Sequence, residues 1–99
     1  MEFVITEGEG KSGMRISGRL DTLNSEKFEK RIQELLPLTK DLEIDCANLE
    51  YISSSGLRCF LFLLKSAQES KHTVTLVNMT APIKEVFDIT GFSSMFNII

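Results

Sequence analysis

The stretch that decides the fold runs from residue 42 to residue 64 and reads LEIDCANLEYISSSGLRCFLFLL. Over residues 42–47 apolar and polar side chains alternate, which is the pattern of a β-strand with one buried face. The polar cluster at 53–56 separates this strand from a longer apolar segment. In that segment, apolar residues recur with helical spacing at Leu57, Phe60, Leu61 and Leu64. A strand, a polar turn and a helix form the repeating unit of α/β domains.

The same two periodicities continue on both sides of this stretch. Alternating apolar residues before it predict two strands that form a hairpin, and a helical pattern follows them. A short strand and another helix follow on the C-terminal side. The predicted elements are strands at 2–6 and 13–18, a helix at 24–36, a strand at 42–47, a helix at 56–70, a strand at 73–78 and a helix at 81–90.

Local signals predict where the helices begin and end. Asn24 or Ser25 is expected to cap the first helix, and Pro37 to end it. Thr80 is expected to cap the third helix, which places the proline at position 82 in the first turn, where proline is tolerated. Gly91 is expected to end this helix.

The order β-β-α-β-α-β-α predicts a small α/β domain with a mixed four-stranded sheet whose first strand is antiparallel. Because the strands alternate in polarity, the helices should lie mainly on one face of the sheet. A length of 99 residues with 42% hydrophobic side chains suits a single domain over residues 1–99. Its expected core includes Phe28, Ile32, Leu61 and Phe87.

Charge and hydropathy argue against several classes of partner. A net charge of −3 supplies no basic surface for nucleic acid. The longest apolar run, at 59–64, is far shorter than the roughly 20 residues of a membrane span, so no membrane insertion is expected. With no basic segment ahead of an apolar one at the N-terminus, a cytoplasmic protein is expected. Cys46 and Cys59 lack metal or redox spacing and are predicted to be buried thiols.

Two catalytic patterns fail on their context. The glycine-rich sequence at 8–13 resembles a phosphate-binding loop, but such a loop must lead directly into a helix, and here a strand follows. The segment is therefore predicted to be a hairpin turn. His72 begins the fourth predicted strand, at the opposite edge of the sheet from the serines at 53–55, roughly 15 Å away at about 3.3 Å per residue. We therefore expect no catalytic triad, no metal site, no cofactor and no enzymatic activity.

One constellation remains, at the carboxyl ends of the second and third strands. Asp21 follows one strand and Ser53, Ser54, Ser55 and Gly56 follow the other, so they are expected to share an edge of the sheet. One serine should cap the next helix, whose positive end would also tolerate a phosphate. From spacing alone, simple helix capping is the favoured explanation of these residues.

Three segments in order give the chain a resemblance to the STAS family, specifically to single-domain bacterial anti-sigma factor antagonists. Residues 18–21 read GRLD, residues 42–57 read LEIDCANLEYISSSGL, and residues 82–92 read PIKEVFDITGF. Together they span nearly the whole chain. The resemblance therefore implies a single STAS-like domain.

The resemblance implies a non-enzymatic switch that binds an anti-sigma factor with serine kinase activity and releases a sigma factor. The kinase would reverse this by phosphorylating Ser55, the serine directly before the glycine, with Ser54 as the second candidate. A serine phosphatase is a further possible partner. Ser53 stands where the family usually has aspartate. Asp21, Ser53, Ser54, Gly56 and Leu57 would lie at the partner-binding surface around an exposed Ser55.

An alternative follows from the same resemblance. Some STAS-like proteins are unphosphorylated assembly subunits of a transporter or a larger signalling complex. In such a subunit Ser55 would be only a residue at the start of a helix.

Overall fold

The computed structural model describes residues 1–99. Its α-helices are α1 (Thr22–Leu35), α2 (Ser54–Glu69) and α3 (Ala81–Ile89), and a short 3-10 helix spans Phe92–Ser94. Its strands are β1 (Glu2–Glu7), β2 (Lys11–Leu20), β3 (Asp41–Ile52), β4 (Val74–Val77) and β5 (Asn97–Ile98).

The strands pair into one mixed sheet in the order β1-β2-β3-β4-β5. β1 pairs antiparallel with β2, and the remaining pairs are parallel. The expected hairpin is present, since Glu7 pairs with Ser12 across the turn, where Gly10 has a φ of +86°. Parallel neighbours require a crossover connection, and α1 and α2 supply it between β2, β3 and β4. The predicted small α/β domain with a mixed sheet is therefore confirmed.

The prediction of four strands was one strand short. β5 pairs with β4 through Thr75 opposite Asn97 and Leu76 opposite Ile98. The amide of Ile99 also donates a hydrogen bond to the carbonyl of Leu76 at 2.9 Å. A strand of two residues is too short to show an alternating pattern, so only pairing with β4 reveals it.

All three helices pack on the same face of the sheet around a cluster of aromatic rings. The ring of Phe60 on α2 lies 5.2 Å from that of Phe28 on α1 and 5.5 Å from that of Phe87 on α3, measured between centroids. Phe3 of β1 stacks on Phe28 at 5.4 Å. Edge-to-face and offset rings at these separations pack well in protein interiors.

The core agrees with the sequence prediction except at one residue. Phe28, Ile32 and Phe87 are fully buried, whereas Leu61 is only partly buried and Leu63 is fully buried. The other three residues of the predicted inward face of α2 are buried, and only Leu61 departs from it, because this helix is apolar on nearly every side. The expected core role of Leu61 was therefore wrong.

β3 continues five residues beyond its predicted end. Its pairing with β2 shifts register between Asp45 and Asn48 and again between Leu49 and Tyr51. Each shift places an extra β3 residue in the ladder, which is a β-bulge. The alternation of buried and exposed residues is interrupted at each bulge, so the pattern hid the second half of the strand. The extension carries β3 to Ile52, beside the end of β2.

Candidate functional site

The ends of β2 and β3 meet at one edge of the sheet. Leu20 pairs with Ile52, and the amide of Ser53 donates a hydrogen bond to the carbonyl of Leu20 at 2.9 Å. Asp21 and Ser53 are the next residues of the two chains. The structure thus brings Asp21 and the serine cluster to the same edge, as expected.

Asp21 and Ser53 each cap the helix that follows. Oγ of Ser53 accepts a hydrogen bond from the amide of Gly56 at 3.1 Å, and Oδ1 of Asp21 accepts one from the amide of Asn24 at 2.8 Å. A cap of this kind satisfies one of the amides that a helix leaves unpaired at its start. Ser53 therefore fills the capping position, which is one of the two roles the sequence left open for the cluster.

The N-cap of α1 is Asp21, three residues before Asn24. The expected cap at Asn24 or Ser25 was therefore wrong. Both residues instead brace this start from inside the helix. The hydroxyl of Ser25 donates to the carbonyl of Asp21 at 2.7 Å, and the amide group of Asn24 donates to the carbonyl of Arg19 at 2.9 Å. Asp21 is thus held by its side chain and its backbone. At the third helix, Thr80 is the N-cap, as predicted.

Gly56 is required where α2 approaches the sheet. A β-carbon at this position would lie 2.8 Å from Cγ and Cδ2 of Leu20 and 3.1 Å from Cγ1 of Ile52. Leu20 is fully buried, so it has little room to move away. The neighbouring Leu57 is also buried, which makes it part of the core. The glycine therefore sets how closely the first turn of α2 sits against β2 and β3.

Ser54 and Ser55 occupy the first two positions of α2 but differ in exposure. Ser54 is exposed, whereas Ser55 is half-buried. The sequence predicts an exposed Ser55, so its exposure is lower than expected. Successive helical residues point in different directions, and Ser55 points toward α1 while Ser54 points into solvent.

Ser55 lines an open groove of about 450 Å³ between α1 and α2. The groove carries three charged side chains, Glu26 and Glu29 from α1 and Arg58 from α2, and all three are exposed. Its remaining lining residues are Thr22, Ser25, Cys59 and Phe62. A hydroxyl in this position is accessible from one side and surrounded by charges of both signs.

The two cysteines are buried thiols, as predicted. Sγ of Cys59 donates to the carbonyl of Ser25 at 3.4 Å, under the groove. Burial is the main reason that the pKa of Cys59 is raised; the carboxylate of Glu29 adds to this and Arg58 opposes it. Burial raises the pKa of Cys46 to about 12. Neither thiol is prepared for nucleophilic chemistry, which requires a thiolate.

Sequence analysis missed two exposed apolar side chains beside the site. Leu23, in the first turn of α1, is 71% exposed, and Tyr51, near the end of β3, is 41% exposed. The guanidinium of Arg19 lies 4.4 Å from the centre of the Tyr51 ring, a cation–π contact. The available signal for Leu23 was an apolar residue outside the inward stripe of its helix. For Tyr51, the bulges of β3 interrupt the alternation that would have predicted which side of the sheet its side chain lies on.

His72 lies far from the serines, as expected. Its Nδ1 is 3.1 Å from Oδ1 of Asp41, the first residue of β3, whereas Ser53 follows the last. The amide of Thr73 donates to the same Asp41 oxygen at 2.9 Å. This hydrogen bond, and then the contact with His72, lower the pKa of Asp41. His72 is thus paired at the start of β3 rather than simply solvated.

Comparison with known proteins identifies the family and the fold. The sequence model described as STAS domain matches residues 3–99. Fold and site together define a small α/β domain with a polar site where two strands end. The chain belongs to the STAS domain family.

The curated relatives carry one recurring name. BtrV of Bordetella bronchiseptica, provisionally named an anti-sigma factor antagonist, is 29% identical over 99% of this chain and 85% of its own length. The anti-sigma-B factor antagonist of Bacillus subtilis is 23% identical over 95% of this chain and 86% of its own length. The homologues of this chain are therefore named as anti-sigma factor antagonists.

Solved structures share the fold. An anti-sigma factor antagonist from Mycobacterium paratuberculosis superposes with a TM-score of 0.87 at 19% identity, over 98% of this chain and 83% of its own. The phosphorylated form of SpoIIAA, described as a Bacillus cell fate determinant, has a TM-score of 0.75 at 17% identity, over 99% and 91%.

A similar fold also occurs within a much larger protein. Part of the murine anion transporter Slc26a9 has a TM-score of 0.78 at 16% identity, over 90% of this chain and 16% of its own. In the present chain no helix has the length and apolar character needed to span a membrane.

Proposed function

We propose that this protein is a phosphorylation-switched anti-sigma factor antagonist. Unphosphorylated, it binds an anti-sigma factor that has serine kinase activity and thereby releases a sigma factor. Transfer of a phosphate to Ser55 ends this binding, and a serine phosphatase restores it. The observation that carries the proposal is the placement of the Ser55 hydroxyl in an open groove directly before Gly56.

Gly56 supports the choice of Ser55 as the acceptor. In the family pattern that the chain resembles, the acceptor precedes the glycine, and here close packing against Leu20 and Ile52 favours glycine at position 56. The close packing of the glycine therefore fixes the position of the preceding residue, Ser55, in the first turn of α2. Ser54 is more exposed and remains the second candidate. The exposure of Ser54 favours access by a kinase, whereas its position two residues before the glycine does not match the acceptor position of the family.

The proposed reaction is a phosphoryl transfer from a nucleoside triphosphate bound to the kinase. Oγ of Ser55 forms a bond to the γ-phosphorus, the bond from that phosphorus to the diphosphate leaving group breaks, and the hydroxyl proton passes to a base of the kinase. Ser55 lies in the first turn of α2, where the unpaired amides and the helix dipole favour negative charge. The domain is therefore suited to carry the product.

Ser53 alters the charge of the site without removing its cap. Its hydroxyl makes the hydrogen bond to Gly56 that an aspartate would make. The serine leaves the acceptor region with one negative charge fewer than the usual family residue would supply. Asp21, at the neighbouring strand end, then provides the nearest capping carboxylate. We expect the binding site of a cognate kinase to be complementary to this less negative surface.

The partner-binding surface surrounds the acceptor. Phe62, which lines the groove, and Leu23, in the first turn of α1, are 38% and 71% exposed and supply apolar area. Glu26, Glu29 and Arg58 supply charges that a partner must match. Apolar contacts beside complementary charges are the usual composition of a protein interface. We therefore place the docking surface on the exposed sides of α1 and α2 near their N-termini.

The test is incubation of the chain with candidate kinases and ATP, followed by mapping of the phosphate by mass spectrometry. Ser55→Ala should abolish incorporation, while the matched variant Ser54→Ala should retain it. Both variants should keep the circular dichroism spectrum of the unaltered chain, because changes at such positions cost about 1 kcal/mol or less. Phosphate on the Ser55→Ala variant would show that the acceptor lies elsewhere.

An assembly subunit is the second candidate function, and the fold shared with part of Slc26a9 is the observation that favours it. In that case the chain should form a stable complex with its partner in the absence of ATP. Ser55→Asp should leave such a complex intact. Loss of binding in Ser55→Asp, with retained binding in Ser54→Asp, would instead favour the switch.

A further inference from the structure

We propose that Arg58 receives the phosphate of Ser55, pairing its guanidinium with the phosphoryl oxygens and holding the modified side chain at the groove. This inference rests on the proposed phosphorylation of Ser55 and adds a positioning residue to that site. It concerns how the phosphorylated form is organised within the chain itself, before any partner is present.

The geometry of α2 brings the two side chains together. Ser55 and Arg58 are three residues apart on the helix, and both line the same groove. Residues at this spacing have β-carbons about 5–6 Å apart on a shared face. Side chains on a helix also lean toward its N-terminus, so the long side chain of Arg58 extends over the turn that contains Ser55.

Arg58 has no competing partner in the unphosphorylated chain. It is exposed, and none of the five ion pairs of the structure includes it. By contrast, Arg31 on α1 already pairs with Glu34 at 3.1 Å. The side chain of Arg58 is therefore free to turn toward a new negative group without breaking an existing contact.

The other charged groups around the groove are carboxylates, so Arg58 is the only groove residue that can attract the phosphate. Glu26 and Glu29 face Ser55 from α1, and Asp21 lies at the adjacent strand end. These carboxylates repel a phosphate, and Arg58 is the one cation among the groove residues. An arginine makes two parallel hydrogen bonds to phosphate oxygens, which are stronger than its exposed pairing with a carboxylate. We therefore expect Arg58, which has no ion-pair partner in the unphosphorylated chain, to bind the phosphate in preference to Glu26 or Glu29.

The consequence is that the modified site presents an ordered phosphate whose charge Arg58 partly balances, rather than a mobile dianion. Because the pair forms within one helix, it requires no rearrangement of the sheet or of the core. Arg58 would at the same time be withdrawn from the docking surface, so a single event removes one positive charge and adds negative charge there. Both changes oppose rebinding of a partner that had used Arg58.

The experiment uses full-length chain with phosphoserine installed at position 55 during translation and follows the phosphate by phosphorus NMR over a pH titration. A nearby cation favours the doubly charged phosphate and lowers its second pKa, which is ordinarily about 6. Arg58→Gln should therefore raise that pKa by roughly half a unit, a change of about threefold in proton affinity. Arg58→Lys should retain most of the lowering, since it keeps the charge.

Lys65→Gln is the matched control, because it removes the same charge from an exposed position further along α2. Its titration should equal that of the unaltered phosphorylated chain. Identical curves for Arg58→Gln and Lys65→Gln would overturn the role of Arg58. The phosphoserine is installed without a kinase, so this outcome is separate from the proposed function, which fails if no kinase transfers phosphate to Ser55.

Discussion

Gly56 shows how one missing side chain positions the whole site. Its amide is bound by Ser53, and its α-carbon lies against the fully buried Leu20. The glycine thus links the cap of α2 to the packing of that helix on β2 and β3. Sequence comparison would mark this residue as part of a motif. The structure shows why glycine stands there: α2 approaches Leu20 too closely for a β-carbon.

Gly56→Ala should destabilise the domain although alanine is the better helix former. The new β-carbon would come within 2.8 Å of Leu20, and crowding of a buried side chain typically costs about 1–3 kcal/mol. The gain in helix propensity is at most about 1 kcal/mol. We therefore expect a net loss of about 1–2 kcal/mol, or roughly 4–16 °C in Tm.

Thermal unfolding followed by circular dichroism measures this change. Ser54→Ala is the control, since it alters an exposed residue of the same helical turn and should stay within about 0.5 kcal/mol of the unaltered chain. A Gly56→Ala variant as stable as the control would mean that Leu20 and Ile52 can move aside.

The first turn of α2 combines stability and function in one short segment. Ser53 caps it, Ser54 faces solvent and Ser55 faces the groove. Because each residue of a helix turns about 100° from the last, three adjacent serines take three different roles. The identity of the residue type therefore does not reveal the role.

Substitutions at Ser53 should separate the cap from the charge. Ser53→Ala removes the acceptor for the Gly56 amide and should cost about 1 kcal/mol. Ser53→Asp keeps an acceptor and adds a negative charge at the positive end of the helix, so stability should be equal or higher by up to about 1 kcal/mol. Urea unfolding measures both changes.

Ser54→Ala and Ser54→Asp are the controls for Ser53, because they make the same changes one residue away. Ser54→Ala should leave the urea midpoint unchanged, since its side chain is not the cap. If the two alanine variants lost equal stability, the hydrogen bond from Gly56 to Ser53 would not be the source of the effect.

The molecule as a whole keeps its core apart from its site. The three helices pack on one face of the sheet around Phe28, Phe60 and Phe87, while Ser55 lies at the strand ends, outside that aromatic cluster. A charge added at Ser55 therefore enters solvent and a helix terminus rather than the core. This separation is consistent with the proposed switch, because a change at the site need not disturb the core.

Phosphorylation at Ser55 should change partner affinity without unfolding the domain. The phosphate adds roughly −1.5 to −2 charges at a helix N-terminus that tolerates them, so Tm should shift by only a few degrees, equivalent to about 1 kcal/mol. Most of the affinity for the kinase should nevertheless be lost, because the phosphate occupies the acceptor position and repels the γ-phosphate of ATP. Ser55→Asp should show a smaller loss.

Calorimetric titration with the kinase and thermal unfolding test the two parts together. A phosphorylated chain that bound its kinase undiminished would contradict the steric and electrostatic switch. Cooperative unfolding on phosphorylation would equally contradict it, because the effect would then act through the fold and not at the docking surface.

The local pattern of residues was enough for the element order, the three helices, the aromatic core and the shared edge of Asp21 and Ser53. These features depend on periodicities of two and 3.6 residues and on the rule that parallel strands end at one edge. The inward face of α2 was predicted correctly except that Leu63 and not Leu61 is buried, because both belong to a helix that is apolar on nearly every side.

Other features depend on contacts between residues distant along the chain. The second half of β3, with its two bulges, exists through pairing with β2, and β5 exists through pairing with β4. The groove beside Ser55 likewise needs α1 and α2 to lie together. Periodicity records only which side of an element is apolar, whereas strand pairing and helix packing depend on what each element meets in three dimensions, and no local pattern contains that information.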